Sequence, residues 1–459
     1  MRIISHRLHR SLLRPGQRFR AIGLWGKTAD IIGRRSLERE RILEETLAGD
    51  ASSTPRLRSV EPQWVEHQGR RFIYLKDPLA LASNAVLVPE VLAPLLALCD
   101  GTRDVSGLRA AMMLRTGHQL APSTIEDFLS QLDRAFLLEG DAYVEASARA
   151  LAAYRTAEHR RPSHAKYVYP DDPTALSASL KEYCDSYRTD PSPRSGLVGM
   201  VCPHIDYARG HATYAELWQR ARPALEEIEL AIVFGTDHMG GPGAMTLTRQ
   251  SYATPLGVLP TDVGVVEAVA DALGQDTAFA EEVHHVNEHS IELALVWMHH
   301  FLGGRSCDVV PVLCGSFHKF VTGDEDPGND GRIEAAIATL RQAASGRKTL
   351  VIAAGDIAHV GPAFGDTQPL DQAALAELAA LDDETISTIC EGDAGAFFDV
   401  SRRELDARRL CGLPPIYLAL RYLEDAWGEA LGYAQCPADG AGTSVVSIAG
   451  VLLYDGSTP

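Results

Sequence analysis

The chain has 459 residues, 46% apolar and 23% charged, which suits a soluble protein with a sizeable core and is too long for one ordinary domain. Its formal net charge of −18 argues against a nucleic-acid binder, because neutralising phosphates takes clustered Lys and Arg. No apolar run of about eighteen residues occurs, so no membrane-spanning helix is expected. Eight cysteines are scattered without a CxxC pair, which favours a reducing compartment, the cytoplasm, over a disulfide framework.

The first 29 residues carry no acid but include Arg2, Arg7, Arg10, Arg14, Arg18 and Arg20. This composition is shared by organelle presequences and basic tails, and it lacks the compact apolar core of a secretory signal. A disordered basic tail over 1–60 is the expectation, closing on the linker Ala51-Ser52-Ser53-Thr54-Pro55.

Next come a β-like run at Arg71–Leu75, closed by Asp77-Pro78, and a helical pattern from Val88 to Leu98 that stops at Asp100-Gly101. Further helices are expected over Val105–Leu114 and Ser123–Phe136, the second capped by Ser123, followed by a hairpin at Leu137–Val144. Strand, three helices and hairpin predict a small winged-helix-like α+β domain over 61–150. It lacks a basic stripe on a recognition helix, so a peptide or protein partner is expected in place of DNA. The stretches LLALCDGTRDVSGL and FLSQLDRAFLLEGD resemble the PqqD-like peptide-recognition fold, which implies the same kind of partner.

Beyond residue 161 the rhythm changes. Gly196–Val201, Leu230–Phe234, Val309–Leu313 and Thr349–Ala354 are short, continuous, largely β-branched runs, as buried strands should be. Helical stretches at Val263–Leu273, Ile291–Phe301 and Ile333–Ala344 lie among them, and the alternation predicts a three-layer α/β domain over 161–456. Neither a dinucleotide fingerprint nor a phosphate loop follows any of these strands.

Ligands of open α/β sheets bind beyond the carboxyl ends of the strands. Those ends deliver Pro203-His204-Ile205-Asp206-Tyr207, Gly235-Thr236-Asp237-His238 and Gly355-Asp356-Ile357-Ala358-His359, each with a histidine. Imidazole suits Fe, Cu and Zn, and carboxylate or thiolate commonly completes such sites. Asp356 can cap a helix as well as face the pocket. In Asn287-Glu288-His289-Ser290-Ile291-Glu292, Asn287 or Ser290 is the expected helix cap, and His289 and Glu292 share a face if the helix includes both. Such a pair is more often found at a surface or a cap than on a metal, and His284-His285 and His299-His300 are expected to be solvated or structural.

In chain order, CPHIDYARG, FGTDHMG, TPLGVLPTD, NEHSIE, VPVLCGSF, GDIAHVGPAFG and CGLPPI resemble the successive motifs of the Memo family, whose bacterial and archaeal members are often called AmmeMemoRadiSam system protein B. The opening RPSHAKYVYP and the closing GYAQ and SVVSIAGVLL are similar to the family's ends. The resemblance implies a class III extradiol dioxygenase-like fold with a metal on His204, His238 and Cys411. It also implies a pocket lined by Asp356 and His359, with His289 in the EHS motif and Glu292 on the same helix. Asp356, His359 and His289 are the expected catalytic residues. The chain departs from the family at PHIDY for PHAGY, at GTDH for GPSH and in lacking the usual histidine after Cys411, which is expected to place Ile205, Asp206 and Asp237 near the metal.

Three functions are compatible with this reading: Fe- or Cu-dependent, dioxygenase-like redox chemistry, a binding protein using the pocket for a peptide, partner or metal, and a zinc hydrolase. A small molecule or peptide is expected at the pocket. The family label points to a radical-SAM protein as a partner.

Overall fold

Residues Arg70–Leu75 are exposed at their arginines and buried at Ile73 and Leu75, the period-two pattern of a strand with one face on a core. In the computed structural model, which describes residues 19–21, 54–60, 62–187, 194–323 and 325–456, this strand belongs to the first of two units, Met1–Ala152. Strands β1 (Phe19–Ala21), β2 (Gln63–His67), β3 (Arg70–Leu75) and β4 (Ala85–Pro89) form a sheet in the order β1-β4-β3-β2. Helices α1 (Ala93–Leu98), α2 (Val105–Thr116) and α3 (Pro122–Arg134) come next. Ile73, Leu75, Val86 and Val88 pack with Leu95, Leu108, Met112, Ile125, Phe128 and Leu132 in one core.

Several local expectations change here. The run from Val88 splits into the end of β4 and the short α1, because Ala-Val-Leu-Val-Pro is β-branched and closes on a proline. Helix α3 is preceded by Ala121, whose side chain makes no cap bond, and starts on Pro122, so Ser123 is not its cap. The hairpin at 137–144 does not form. Leu138 bridges Leu57, and the alanine-rich run Asp141–Thr156 is helix α4. The chain joins this unit ahead of the expected boundary at 60. Leu57 N–H bonds the Cys99 carbonyl, and Arg58 forms a buried ion pair with Asp77 at 2.8 Å. The rest of the expected basic tail, apart from 19–21 and 54–60, lies outside the described residues.

The second unit, Ala153–Pro459, is built on a mixed sheet. Its elements include, in chain order, α5 (Pro173–Ser186), β5 (Leu197–Cys202), α6 (Tyr207–Leu225), β6 (Leu230–Thr236), β7 (Met245–Leu247), the hairpin β8 (Tyr252–Thr254) and β9 (Gly257–Leu259), and α7 (Val263–Leu273). Then come α8 (Ser290–Leu302), β10 (Asp308–Cys314), α9 (Gly331–Ala344), β11 (Thr349–Ala354) and β12 (Ala358–Val360). Last are α10 (Gln372–Cys390), α11 (Ala394–Arg403), α12 (Leu413–Leu423), β13 (Trp427–Pro437) and β14 (Val445–Tyr454).

The strand order is β12-β14-β5-β11-β6-β10-β7, with β13 also paired to β14. Strands β5, β11, β6 and β10 are parallel, while β7 and β14 flank them antiparallel. Each central strand divides its side chains between two cores. Val201, Ile232, Phe234, Val312 and Val351 join helices α7, α9 and α12 on one face. Met200, Cys202, Val233, Leu313 and Ile352 join α5, α6 and α8 on the other. Burial on both faces explains why these strands are continuous apolar runs.

Strand β11 arrives after β6 and β10 but inserts between β5 and β6. The chain leaves β5 through α6 on one face, whereas the helices after β11 pack on the other. The gap beyond the ends of β5 and β11 is therefore a topological switch point, where such sheets form ligand crevices.

Candidate metal centre

His204, two residues beyond β5, is almost wholly buried. Its main-chain N–H donates to Asp356 Oδ1 at 2.9 Å, which ties the end of β5 to the end of β11. Its ring Nδ1 lies 3.1 Å from the Ala354 carbonyl. A carbonyl only accepts, so Nδ1 carries the proton and Nε2 is directed elsewhere. Nε2 meets the Cys411 sulfur at 3.2 Å and lies 3.8 Å from Asp356 Oδ2.

Cys411 reaches this point because two backbones nearly touch. A Cβ on Gly355 would stand 2.3 Å from the Gly412 Cα, and one on Gly412 would stand 2.8 Å from the Asp356 carbonyl oxygen. With glycine at both positions, Gly412 N–H donates to Asp356 O at 3.0 Å and Thr236 Oγ1 donates to Cys411 O at 2.8 Å. The loop before α12 is thus pinned to the ends of β11 and β6.

His238 comes just after β6, and its ring is about one-third exposed. His289, one residue ahead of α8, stacks on it at 4.8 Å between centroids with planes 17° apart. Between them sits the buried Glu288. Its Oε2 lies 3.0 Å from His238 Nδ1 and its Oε1 lies 3.0 Å from His289 Nδ1. The same carboxylate accepts the main-chain N–H groups of His238, His289 and Ser290.

Donor atoms of His204, His238 and His289 lie within 4.8 Å of one another, and those of His204, Asp356 and Cys411 form a second such group. Five of the six expected site residues are therefore brought together, with His204 common to both groups. His359 belongs to neither; its Nδ1 lies 3.1 Å from the Arg409 carbonyl, though its charge helps to lower the Cys411 pKa. Asp356 caps no helix, because the next element is the strand β12. The cap position of α8 is His289, which makes no side-chain cap bond, and neither Asn287 nor Ser290 takes that place.

The electrostatics reflect the geometry. Burial alone would raise the Cys411 thiol, but the neighbouring His204 and His359 and hydrogen bonds from His204 and His238 hold it well below the usual thiol value. Burial disfavours the His204 imidazolium, yet Cys411 and Asp356 offset this and bring it up to about 9. His238 is likewise raised against burial by Glu288 and Cys411. His289 is lowered, because there burial outweighs the attraction of Glu288. The charged forms of Cys411, His204 and His238 thus favour one another, whereas the neutral form is favoured at His289.

The departures from the family pattern are spent elsewhere. Asp206 caps α6 and pairs with Arg209 at 2.6 Å, and Ile205 is buried in the core. Asp237 turns to His284, 2.9 Å away, and these two form a separate group of donors with Glu281. Of the two histidine pairs expected to be solvated or structural, His284 stands in that group, whereas His285 is fully buried, 2.6 Å from the Tyr252 hydroxyl, and burial lowers it to about 3. His299 is buried against the Thr254 hydroxyl.

Glu292, expected at a surface or a cap, is buried in an ion pair with Arg160 at 2.6 Å, each side chain 1% exposed. It also accepts the main-chain N–H groups of Ser163 and His164 and the Tyr169 hydroxyl. His164 is thereby placed with its ring 5.5 Å from that of His289. Glu288, Arg160 and His164 were not among the expected site residues.

Burial would raise Glu292, but Arg160, His164 and Tyr169 depress it far below an ordinary carboxylate. A depressed carboxylate contributes stability that is fully present above its unfolded pKa, about 4.3, and is lost as pH falls through that value toward the folded one. Urea unfolding should show stability dropping below about pH 4.5. The Glu292→Gln variant should be less stable at neutral pH and should show a shallower acid slope.

Fold and site together define an α/β protein whose imidazole, thiolate and carboxylate donors gather at the ends of neighbouring parallel strands. Comparison with known proteins is specific. Residues 160–452 match the family of Memo-like proteins. A MEMO1 family protein of Aquifex aeolicus is 24% identical over 392 residues, covering 84% of this chain and 96% of its own length. One from Methanopyrus kandleri is 28% identical over 316 residues, covering 65% of this chain and 99% of its own. Another, from Archaeoglobus fulgidus, is 26% identical over 296 residues, covering 64% and 99%. The chain belongs to the Memo family. The Aquifex match is too extensive to lie within the Memo region alone, so it reaches into the first unit.

Proposed function

We propose that the protein holds a redox-active iron or copper ion on His204, His238 and Cys411 and uses it in oxygen-dependent chemistry on a small molecule or peptide. The observation that carries this reading is the tautomer pattern. The Nδ1 of each imidazole faces an acceptor, which leaves each Nε2 lone pair for an ion, and the Nε2 of His204 lies 3.2 Å from the Cys411 sulfur. Two imidazoles and a thiolate suit copper or iron, and the thiolate departs from the two-histidine, one-carboxylate set of common iron oxygenases. A redox-active ion bound there would supply one-electron chemistry. The chain's own part is to hold the donors at the switch-point crevice, to keep Asp356 Oδ2 beside His204 as a proton acceptor, and to place His359 where its charge reaches Cys411.

Replacement of Cys411 by serine is expected to weaken binding of soft ions at least about tenfold while the histidines retain a weaker site. Anaerobic purification with elemental analysis, then oxygen-consumption assays, checks this. The wild type should carry iron or copper and lose oxygen-dependent turnover in the variant. Zinc with hydrolytic turnover, or metal content unchanged by the substitution, would sink the reading.

For the first unit the proposal is a peptide or protein partner, a radical-SAM protein among the candidates. It is supported by β2, which has a strand neighbour on one side only among the described residues and so offers free backbone groups for strand addition.

A further inference from the structure

We propose that His289 is a further donor of the metal centre and that Glu288 is the residue that positions it together with His238. This rests on the metal-binding reading of the same site.

An ionised carboxylate only accepts hydrogen bonds. Each Nδ1 held at 3.0 Å by Glu288 is therefore protonated, and in both rings the lone pair available to a metal is on Nε2. One carboxylate thus fixes two rings in the same tautomer, and their near-parallel stacking makes them neighbouring prongs on one support. The His204 ring stands edge-on to both, 5.1 Å from His238 and 5.0 Å from His289, its plane turned by 72° and 78°.

Three donor atoms no more than 4.8 Å apart have a common centre within about 2.8 Å of each. Metal–imidazole bonds are about 2.0–2.1 Å, so each ring has to move inward by less than about 1 Å. His238 and His289 have part-exposed rings that can make this movement. Glu288, 3% exposed and bonded to three main-chain N–H groups besides the two rings, is the fixed point about which they turn.

The isosteric change Glu288→Gln separates this role from simple packing. A glutamine has one oxygen and one NH2, so it can accept from only one Nδ1–H. The other ring then faces a donor, moves its proton to Nε2 and loses its lone pair toward the metal.

The test uses the full chain, reduced and free of oxygen, titrated with Co2+. A sulfur-to-cobalt charge-transfer band reports Cys411, and the intensity of the visible d–d bands reports how many donors surround the ion and in what arrangement. Glu288→Gln should weaken Co2+ binding roughly 10- to 100-fold, the range for losing an outer orienting partner. His289→Ala should change the d–d bands and weaken binding while keeping the charge-transfer band. His289→Ala retains every main-chain bond to Glu288, so it carries the test even if Glu288→Gln fails to fold. A His289→Ala protein with wild-type affinity and unchanged d–d bands would overturn the inference while leaving the Cys411 site standing. A wild-type protein with neither stoichiometric Co2+ nor a charge-transfer band would overturn the underlying reading as well.

Discussion

Replacing His204 with alanine is expected to remove stoichiometric metal binding and leave the fold intact. His204 is the one residue common to both of these groups of three, so its loss breaks each of them. The fall in affinity should exceed the roughly 10- to 100-fold that losing an outer partner causes. The variant keeps the main-chain bond from residue 204 to Asp356 Oδ1, which joins the ends of β5 and β11, so the structural cost is confined to the vacated ring. A second readout needs no metal. Cys411 is held as a thiolate by His204 ahead of its other neighbours, so its titration should move up when the ring is gone. Thiolate absorbance against pH tracks that shift. An unchanged Cys411 titration, or full metal occupancy in the variant, would contradict this geometry.

Arg160→Ala should be among the most destabilising single changes available in the second unit. The guanidinium contacts Glu292 at 2.6 Å and the carbonyls of His285 and Glu288 at 2.5 and 2.8 Å. It thereby joins the start of the Memo region to α8 and to the turn that carries Glu288. Removing one partner of so completely buried a pair costs about 3–5 kcal/mol, because the other charge is left in a poor solvent. Urea unfolding of the variant should show a loss of that size. Metal affinity should fall too, since the carbonyl of Glu288 loses its anchor. The double variant Arg160→Met with Glu292→Met should recover part of the stability, because replacing a buried pair by apolar residues removes the uncompensated charge. If the single variant loses less than about 1 kcal/mol, the pair is no brace.

Most of the second unit's architecture was legible because its central strands are buried on both faces and read as unbroken β-branched runs. His204, His238 and Asp356 were legible for a related reason, lying just beyond such runs where open sheets bind ligands. Cys411 was reachable only through its motif, since a thiol in a loop carries no periodicity. Glu288 was missed because a carboxylate just before a helix reads as an ordinary partner for the helix dipole. The available signal was its position directly beside His289. The Arg160–Glu292 pair spans 132 residues, and nothing local announces it. The hairpin expected at 137–144 failed because a short apolar run was weighed without the alanine-rich stretch that continues it.

The late insertion of β11 between β5 and β6 also sets an order in time. His204 and Cys411 are separated by 207 residues and His204 and Asp356 by 152, so a ribosome has added all of the intervening chain before the thiolate can meet the first imidazole. Until then β5 and β6 lack their shared neighbour, and contacts of such long sequence separation close slowly. An ion arriving before that would meet the His238–His289 pair without His204 and Cys411 beside it. Under the proposed metal binding, loading would be a step that follows the making of these segments, and the ion would favour the finished sheet, adding stability in proportion to the logarithm of its free concentration once that exceeds the dissociation constant.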